Sequence, residues 1–147
     1  EVQKRKVHAS LAHLEKRILN NHNVPIKELS STLHLAAGLL VAFSKLEEEL
    51  VHFIVWIPVY LFSPESIKLG TEVWNWIINE KPTFEQRVMV EIADGWSWTV
   101  RHRKGLFSSA LKDKNYKLAK DLFEPHLVWI QFLSGRFQAF RYRSNEL

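Results

Sequence analysis

The sequence predicts an all-α fold, an armadillo- or HEAT-like α-solenoid segment of about six helices arranged as stacked αα-hairpins. Three observations predict it. Apolar residues recur at helical spacing along most of the 147 residues, with no competing strand alternation. Helix-start signals recur between these stretches, several with proline or an acid close behind the cap. Two tryptophan pairs, Trp74-Asn75-Trp76 and Trp96-Ser97-Trp98, lie 22 residues apart inside amphipathic stretches. Positions i and i+2 of a helix stand about 200° apart, so each pair sets one indole on either side of its helix. Helices apolar on two sides are what stacked hairpins require, because each pair buries itself against the pair before and the pair after. A compact six-helix bundle satisfies the same periodicity and is the alternative, since no clean repeat consensus is present.

The elements follow in order. Val7, Leu11, Leu14 and Ile18 trace one face of a first helix, which the polar run Asn20-Asn21-His22-Asn23 stops. Pro25 suits the first position of a second helix, capped by Asn23 or Val24, with Ile26, Leu29, Leu33, Ala37, Leu40 and Val41 as its stripe. Ser44 with Glu47 three residues on has the capping-box pattern, so a third helix is expected from Lys45, carrying Leu46, Leu50, Phe53, Ile54 and Ile57 until Pro58 ends or kinks it. The apolar run Leu50 to Phe62 contains His52 and Pro58 and is far shorter than the roughly 20 residues of a membrane-spanning helix; it reads as a buried helix. Ser63-Pro64-Glu65 starts a fourth, with Ile67, Gly70, Trp74, Ile77 and Ile78 on one face up to Lys81-Pro82. Thr83 with Gln86 offers a second capping box for a fifth helix bearing Val88, Met89, Ile92, Trp96 and Val100. Gly105 is expected as its C′ residue, behind Arg101, His102, Arg103 and Lys104 in the last turn, where cations suit the negative helix end. Leu106 to Phe123 reads as an irregular basic connection. Glu124-Pro125 opens the last helix, with Leu127, Val128, Ile130, Phe132, Leu133, Phe137 and Phe140. The whole of 1–147 is expected to be a single segment of a longer chain.

Composition is that of an ordinary globular protein, 46% hydrophobic and 24% charged. Without cysteine there is no disulfide, thiolate chemistry or Cys-based zinc site, and an intracellular setting is favoured because small secreted domains often need disulfides. The first residues carry neither an initiator Met nor the apolar core of a signal peptide. The formal charge of +4 is local: Arg101 to Lys120 holds seven basic residues and one acid, a balance of +6, leaving −2 for the rest.

Chemistry is sparse. The five glycines are isolated, so no phosphate-wrapping loop exists, and Asp94-Gly95 is followed by Trp96, unlike kinase metal-binding motifs. His8 and His13 stand about 140° apart on a helix, and no H-E-x-x-H or histidine–carboxylate pattern suggests a metal. Glu47-Glu48-Glu49 reads as an acidic first turn that favours the helix dipole. No catalytic, cofactor or metal residue is therefore assigned. Trp74 and Trp96 align with core stripes. Their partners Trp76 and Trp98 point away and are interface candidates, joined by Arg101, Arg103 and Lys104 of the basic stretch. That stretch fits a solvated loop, an anionic membrane surface or an acidic protein partner. Nucleic acid is not expected, with Phe107 and Tyr116 its sparse aromatics.

From about Leu33 to Tyr142 a series of motifs carries a family likeness: Phe62-x-Pro64, Ile67, Gly70, Trp74-x-Trp76, Met89-x-Glu91 with Ala93, Trp96-x-Trp98-Thr99-Val100, Gly105-Leu106-Phe107-Ser108, and Pro125-His126-x-x-Trp129-Ile130-x-Phe132-Leu133-x-x-Arg136-Phe137. This series resembles the helical region of the type III alpha phosphatidylinositol 4-kinases. The resemblance implies a non-catalytic scaffold segment upstream of a lipid kinase domain. It implies that the full protein uses ATP and Mg²⁺ to phosphorylate phosphatidylinositol at the cytoplasmic face of the plasma membrane, where it is peripheral. It also implies protein scaffold subunits and a homodimer formed through the larger chain. Glu1 to Thr32 carries no matching motif. Two other readings remain: an independent armadillo-like adaptor that binds a partner protein, and a peripheral membrane-binding module using the basic stretch.

Overall fold

A computed structural model describes the backbone of residues 2–113 and 115–146, and their side chains apart from 112, 113, 116 and 140–146. Six α-helices follow one another: α1 (Val2–Leu19), α2 (Ile26–Ala42), α3 (Glu48–Leu61), α4 (Pro64–Glu80), α5 (Glu85–Arg101) and α6 (Tyr116–Glu146). Short 3₁₀ turns occupy Pro82–Phe84, Gly105–Phe107 and Ser109–Asp113. Among the described residues there is no strand, and no helix is long and apolar enough to cross a membrane.

The helices form two layers. In one, α1 packs on α3 and α3 on α5; in the other, α2 packs on α4 and α4 on α6. Glu48 meets Arg87 near the starts of α3 and α5, and Tyr60 meets Trp98 toward their ends, so these two run parallel. Trp74 against Trp129 and Asn79 against Arg136 set α4 and α6 parallel likewise. Hairpins stacked side by side in this way are the solenoid arrangement that the two-sided helices predict.

At the centre is α3, which touches α1, α2, α4 and α5. Its residues Leu50, Val51, Phe53, Ile54, Val55, Ile57, Pro58 and Val59 are buried. Pro58 does not end α3; the helix runs on to Leu61. A proline at that position has no N–H to offer the carbonyl four residues back, and that carbonyl, on Ile54, instead accepts a 3.0 Å hydrogen bond from Nε1 of Trp74 on α4. The Ser66 hydroxyl donates to the carbonyl of Pro58 itself at 3.0 Å. At Gly70 an added Cβ would lie 3.0 Å from the Pro58 ring, so the absence of a side chain lets α4 close onto the proline.

The start of α4 follows the sequence signal: Ser63 caps it and Pro64 begins it. The reciprocal partner is Ser66, whose hydroxyl accepts from the Ser63 N–H while Ser63 Oγ accepts from the Ser66 N–H, both at 3.0 Å. The other expected caps are not formed: Pro25 is itself the cap residue of α2, not its first helical position, and neither capping box closes. Instead, α3 begins at Glu48 with Glu47 as cap residue, and the Glu47 carboxylate is drawn across to Lys4 of α1 at 3.0 Å. Pro82–Phe84 is a 3₁₀ turn, and α5 begins at Glu85 without a side-chain cap; the buried Phe84 ring anchors that entry instead. Nor does Pro125 open a helix, for it lies inside the 31 residues of α6. The carbonyl it leaves without a helical donor belongs to Asp121, an exposed residue that water can serve. Val100, expected on the core stripe of α5, is 41% exposed.

Trp74 is fully buried and hydrogen-bonded, whereas Trp76 is 43% exposed. In urea melts Trp74→Ala is expected to cost about 3–5 kcal/mol and Trp76→Ala within about 0.5 kcal/mol. Trp74→Phe, which leaves the Ile54 carbonyl unpaired, is expected to cost about 1–3 kcal/mol. In a Pro58→Ala background, where a backbone N–H returns to that carbonyl, the loss from Trp74→Phe should shrink; an unchanged loss would show that the indole does not serve this carbonyl.

Candidate functional site

Two polar side chains are fully buried side by side, His126 and Thr99. His126 follows Pro125 on α6 and shares a helix face with Trp129 and Leu133, so the sequence register carries it inward. The rings of Phe62, Trp96 and Phe107 surround it with centroids 4.8, 4.6 and 5.1 Å away. Both ring nitrogens are used. The N–H of Leu106 donates to Nδ1 at 3.0 Å, so the proton of the neutral ring sits on Nε2, which donates to Thr99 Oγ1 at 2.9 Å. The hydroxyl of Thr99, also fully buried, donates in turn to the carbonyl of Trp96 at 2.6 Å. A doubly protonated ring would set two donors against each other at Nδ1. Burial holds the His126 pKa down at about 4.

This chain of bonds ties α5, α6 and the Gly105–Phe107 turn together. The chain reaches that turn through a helix end of defined geometry. The N–H of Arg103 donates to the Val100 carbonyl at 3.1 Å and that of Lys104 to the Thr99 carbonyl at 2.9 Å, the paired bonds of a Schellman motif. Arg103, not Gly105, therefore holds the left-handed C′ position, at φ 50°. Gly105 opens the next turn, also at φ 50°, where an added Cβ would lie 2.4 Å from His126 Nδ1. That contact and that φ together require glycine.

Of the residues singled out from sequence, Arg101, Arg103 and Lys104 are exposed and lie together at the end of α5. Trp98 joins them, with Lys104 Nζ 5.8 Å over its ring. It does not stand clear as an outward indole: Trp98 is half-buried, edge-on to Tyr60 at 5.4 Å and Trp56 at 6.3 Å and stacked on His102 at 4.5 Å. Trp96 is half-buried as well. Trp76, near the other end of the stack on α4, does not join this group. Lys112, Lys114 and Tyr116 of the basic stretch, and Phe140 of the last helix, have side chains outside the described residues.

A second polar group went unread in the sequence. Glu91 on α5 is only 8% exposed. It accepts from the Trp56 indole at 2.5 Å and pairs with Arg87 at 2.8 Å, with His52 Nδ1 at 3.8 Å. Burial, with Glu15 and Glu91 nearby, raises the Tyr60 pKa. His52, Trp56 and Tyr60 lie one helical turn apart, the one pattern that marks this face in the sequence. Among the described residues no cluster of three or more His, Asp or Glu side chains could hold a metal.

Fold and junction together define an all-α segment of stacked helical hairpins. Residues 27–147 match the family described as the PI4-kinase N-terminal region, and the chain belongs to that family. It is 27% identical over 119 residues to phosphatidylinositol 4-kinase alpha 1 of Arabidopsis thaliana, covering 67% of this chain and 6% of that one. It is 27% identical over 163 residues to phosphatidylinositol 4-kinase STT4 of Saccharomyces cerevisiae, covering 98% and 9%. With phosphatidylinositol 4-kinase stt4 of Schizosaccharomyces pombe the identity is 30% over 160 residues, covering 91% and 8%. The chain thus spans less than a tenth of the length of these relatives. No solved structure matches it.

An exposed histidine protonates near pH 6.5, whereas His126 stays neutral down to about pH 4, so the unfolded chain takes up this proton first as the pH falls. The contribution of the neutral ring is complete above about pH 6.5 and is lost toward pH 4. Between pH 7.5 and 4.5 it should remove roughly 2–3 kcal/mol of unfolding free energy. In urea melts the stability advantage of the natural chain over His126→Asn should shrink by this amount between pH 7.5 and pH 4.5. Gly105→Ala should destabilise by more than the roughly 1 kcal/mol typical of a left-handed alanine, and its melting as the natural chain does would overturn the packing at this turn.

Proposed function

We propose that the chain is a non-catalytic helical scaffold segment of a phosphatidylinositol 4-kinase. The full protein would convert phosphatidylinositol and ATP, with Mg²⁺, to phosphatidylinositol 4-phosphate as a peripheral protein on the cytoplasmic side of the plasma membrane. Family membership and the names of the three relatives support the lipid-kinase part of this reading.

One observation carries the scaffold part: each end of the hairpin stack carries an apolar groove. On the α5/α6 end, Met89, Ile92, Ala93, Trp96, Trp129 and Leu133 line a groove of about 330 Å³. On the α1/α2 end, Val7, Leu35, Gly38, Leu39 and Ala42 line one of about 290 Å³, with Gln3 and His34. Terminal repeats of a closed solenoid present polar outer faces. Faces like these suit an internal segment, stacked on both sides by further helices of a longer chain. Through that larger chain the segment would help to hold protein scaffold subunits and a homodimer.

The test uses the full-length kinase. Leu35→Glu with Leu39→Glu, and Met89→Glu with Leu133→Glu, are expected to open the protein to limited proteolysis near this segment and to loosen partner subunits. The 147-residue chain alone should show no phosphorylation of phosphatidylinositol. Lipid kinase turnover by the isolated chain, or proteolysis and assembly unchanged in both groove variants, would refute the reading. An independent adaptor would appear as a gene whose coding sequence stops shortly after Leu147.

A further inference from the structure

The turn that His126 holds in place has an unusual surface. Leu106 and Phe107 are 37% and 38% exposed, and Leu118 on the first turns of α6 is 50% exposed. Arg101, Arg103 and Lys104 next to the turn are exposed, as are Lys117 and Lys120 on the first turns of α6. Among the described residues Arg101 and Arg103 form no ion pair, and Lys104 rests on the Trp98 ring. Arg103, Lys104, Gly105, Phe62 and Pro64 line a cavity of about 360 Å³ in which Asp121 is the carboxylate; Glu65 and Glu124 are the chain neighbours of its lining residues Pro64 and Pro125. Cations outnumber acids here, whereas at the opposite edge of the stack Glu47, Glu48 and Glu85 are paired with Lys4, Arg87 and Arg136.

Two features fix the geometry of this surface. Arg103 occupies a left-handed position at φ 50° where glycine would be unstrained, so a charged side chain is kept at some conformational cost. The Leu106 N–H is anchored on His126 Nδ1 at 3.0 Å, which fixes the turn while the leucine side chain keeps one part exposed.

We propose that this corner contacts the anionic surface of a lipid bilayer. The exposed edges of Leu106 and Phe107 would meet the boundary of headgroups and acyl chains, as apolar residues of interfacial segments do, while the inner face of the Phe107 ring stays on His126. Arg101, Arg103, Lys104, Lys117 and Lys120 would face the lipid phosphates and carboxylates, their flexible stems lying along the apolar boundary. Charge complementarity alone would equally suit an acidic protein. The exposed apolar pair set among the cations favours lipid, which offers an apolar layer directly beneath an anionic one. The proposal rests on this surface and is independent of the scaffold reading.

The test is sedimentation of the 147-residue chain with vesicles of phosphatidylcholine alone and with roughly 30% phosphatidylserine. Binding is expected to rise at least about tenfold with phosphatidylserine and to fall steeply in about 0.5 M salt. Arg101→Glu/Arg103→Glu/Lys104→Glu should abolish that rise, with circular dichroism showing that the helices persist. As the chain has no cysteine, Leu106→Cys and Glu80→Cys each accept one environment-sensitive fluorophore. The label at 106 should shift to the blue on vesicles and the label at 80, on the opposite edge, should not. Binding that ignores phosphatidylserine or charge reversal, or a label at 106 that stays in water, would overturn the proposal. Capture of the chain by soluble polyglutamate without vesicle binding would assign the corner to an acidic protein and overturn it too.

Discussion

Pro58 denies the carbonyl of Ile54 its helical donor, and the indole of Trp74 supplies one from the next helix. The rest of the stack depends on this exchange. Buried carbonyls are nearly always paired, so a proline in the most enclosed helix demands a donor from outside, and only a close neighbour can reach. Gly70 permits that approach by offering no side chain to the proline ring. Trp74, once fixed by its N–H, turns its ring toward Trp129 and Phe132 at 5.9 and 5.5 Å. The α3–α4 crossing thereby sets where α6 lies, and α6 delivers His126 to the turn behind α5.

Much of this is legible in the sequence because apolar periodicity reports burial directly. The first stripe, Val7, Leu11, Leu14 and Ile18, is the buried face of α1. The Ser63-Pro64 signal works for a local reason: cap, proline and first turn all lie within a few residues. Ser44 with Glu47 and Thr83 with Gln86 carry patterns of the same kind, but tertiary contacts outweigh them. Glu47 is engaged by Lys4 of α1, and Phe84 is pulled into the core. Proline was the most ambiguous signal. Whether it ends a helix depends on who serves the carbonyl four residues back: for Ile54 a distant tryptophan, for Asp121 the solvent. Neither partner is visible from local sequence.

The tryptophans show the same limit. Spacing separates the two faces of a helix but does not say what covers the second. For Trp76 that face is largely solvent; for Trp98 it is Trp56 and Tyr60 of α3. The His126 junction sits between these cases. Its inward register was readable from Trp129 and Leu133, yet its partners Thr99 and Leu106 lie 27 and 20 residues away, joined only by the fold.

The hairpin stack also governs how the chain comes apart. In a layered array each hairpin is held by its neighbours and stability is a sum of local and nearest-neighbour contributions. The α3/α4 pair has a neighbour on each side, whereas α1/α2 and α5/α6 each have one within this chain. Unfolding of the isolated segment is therefore expected to start at its two ends, each held from one side only, and to reach the Pro58–Trp74 crossing last. Covering either end with another helix pair would change the order of events as well as the total, because the frayed hairpin would become an interior one.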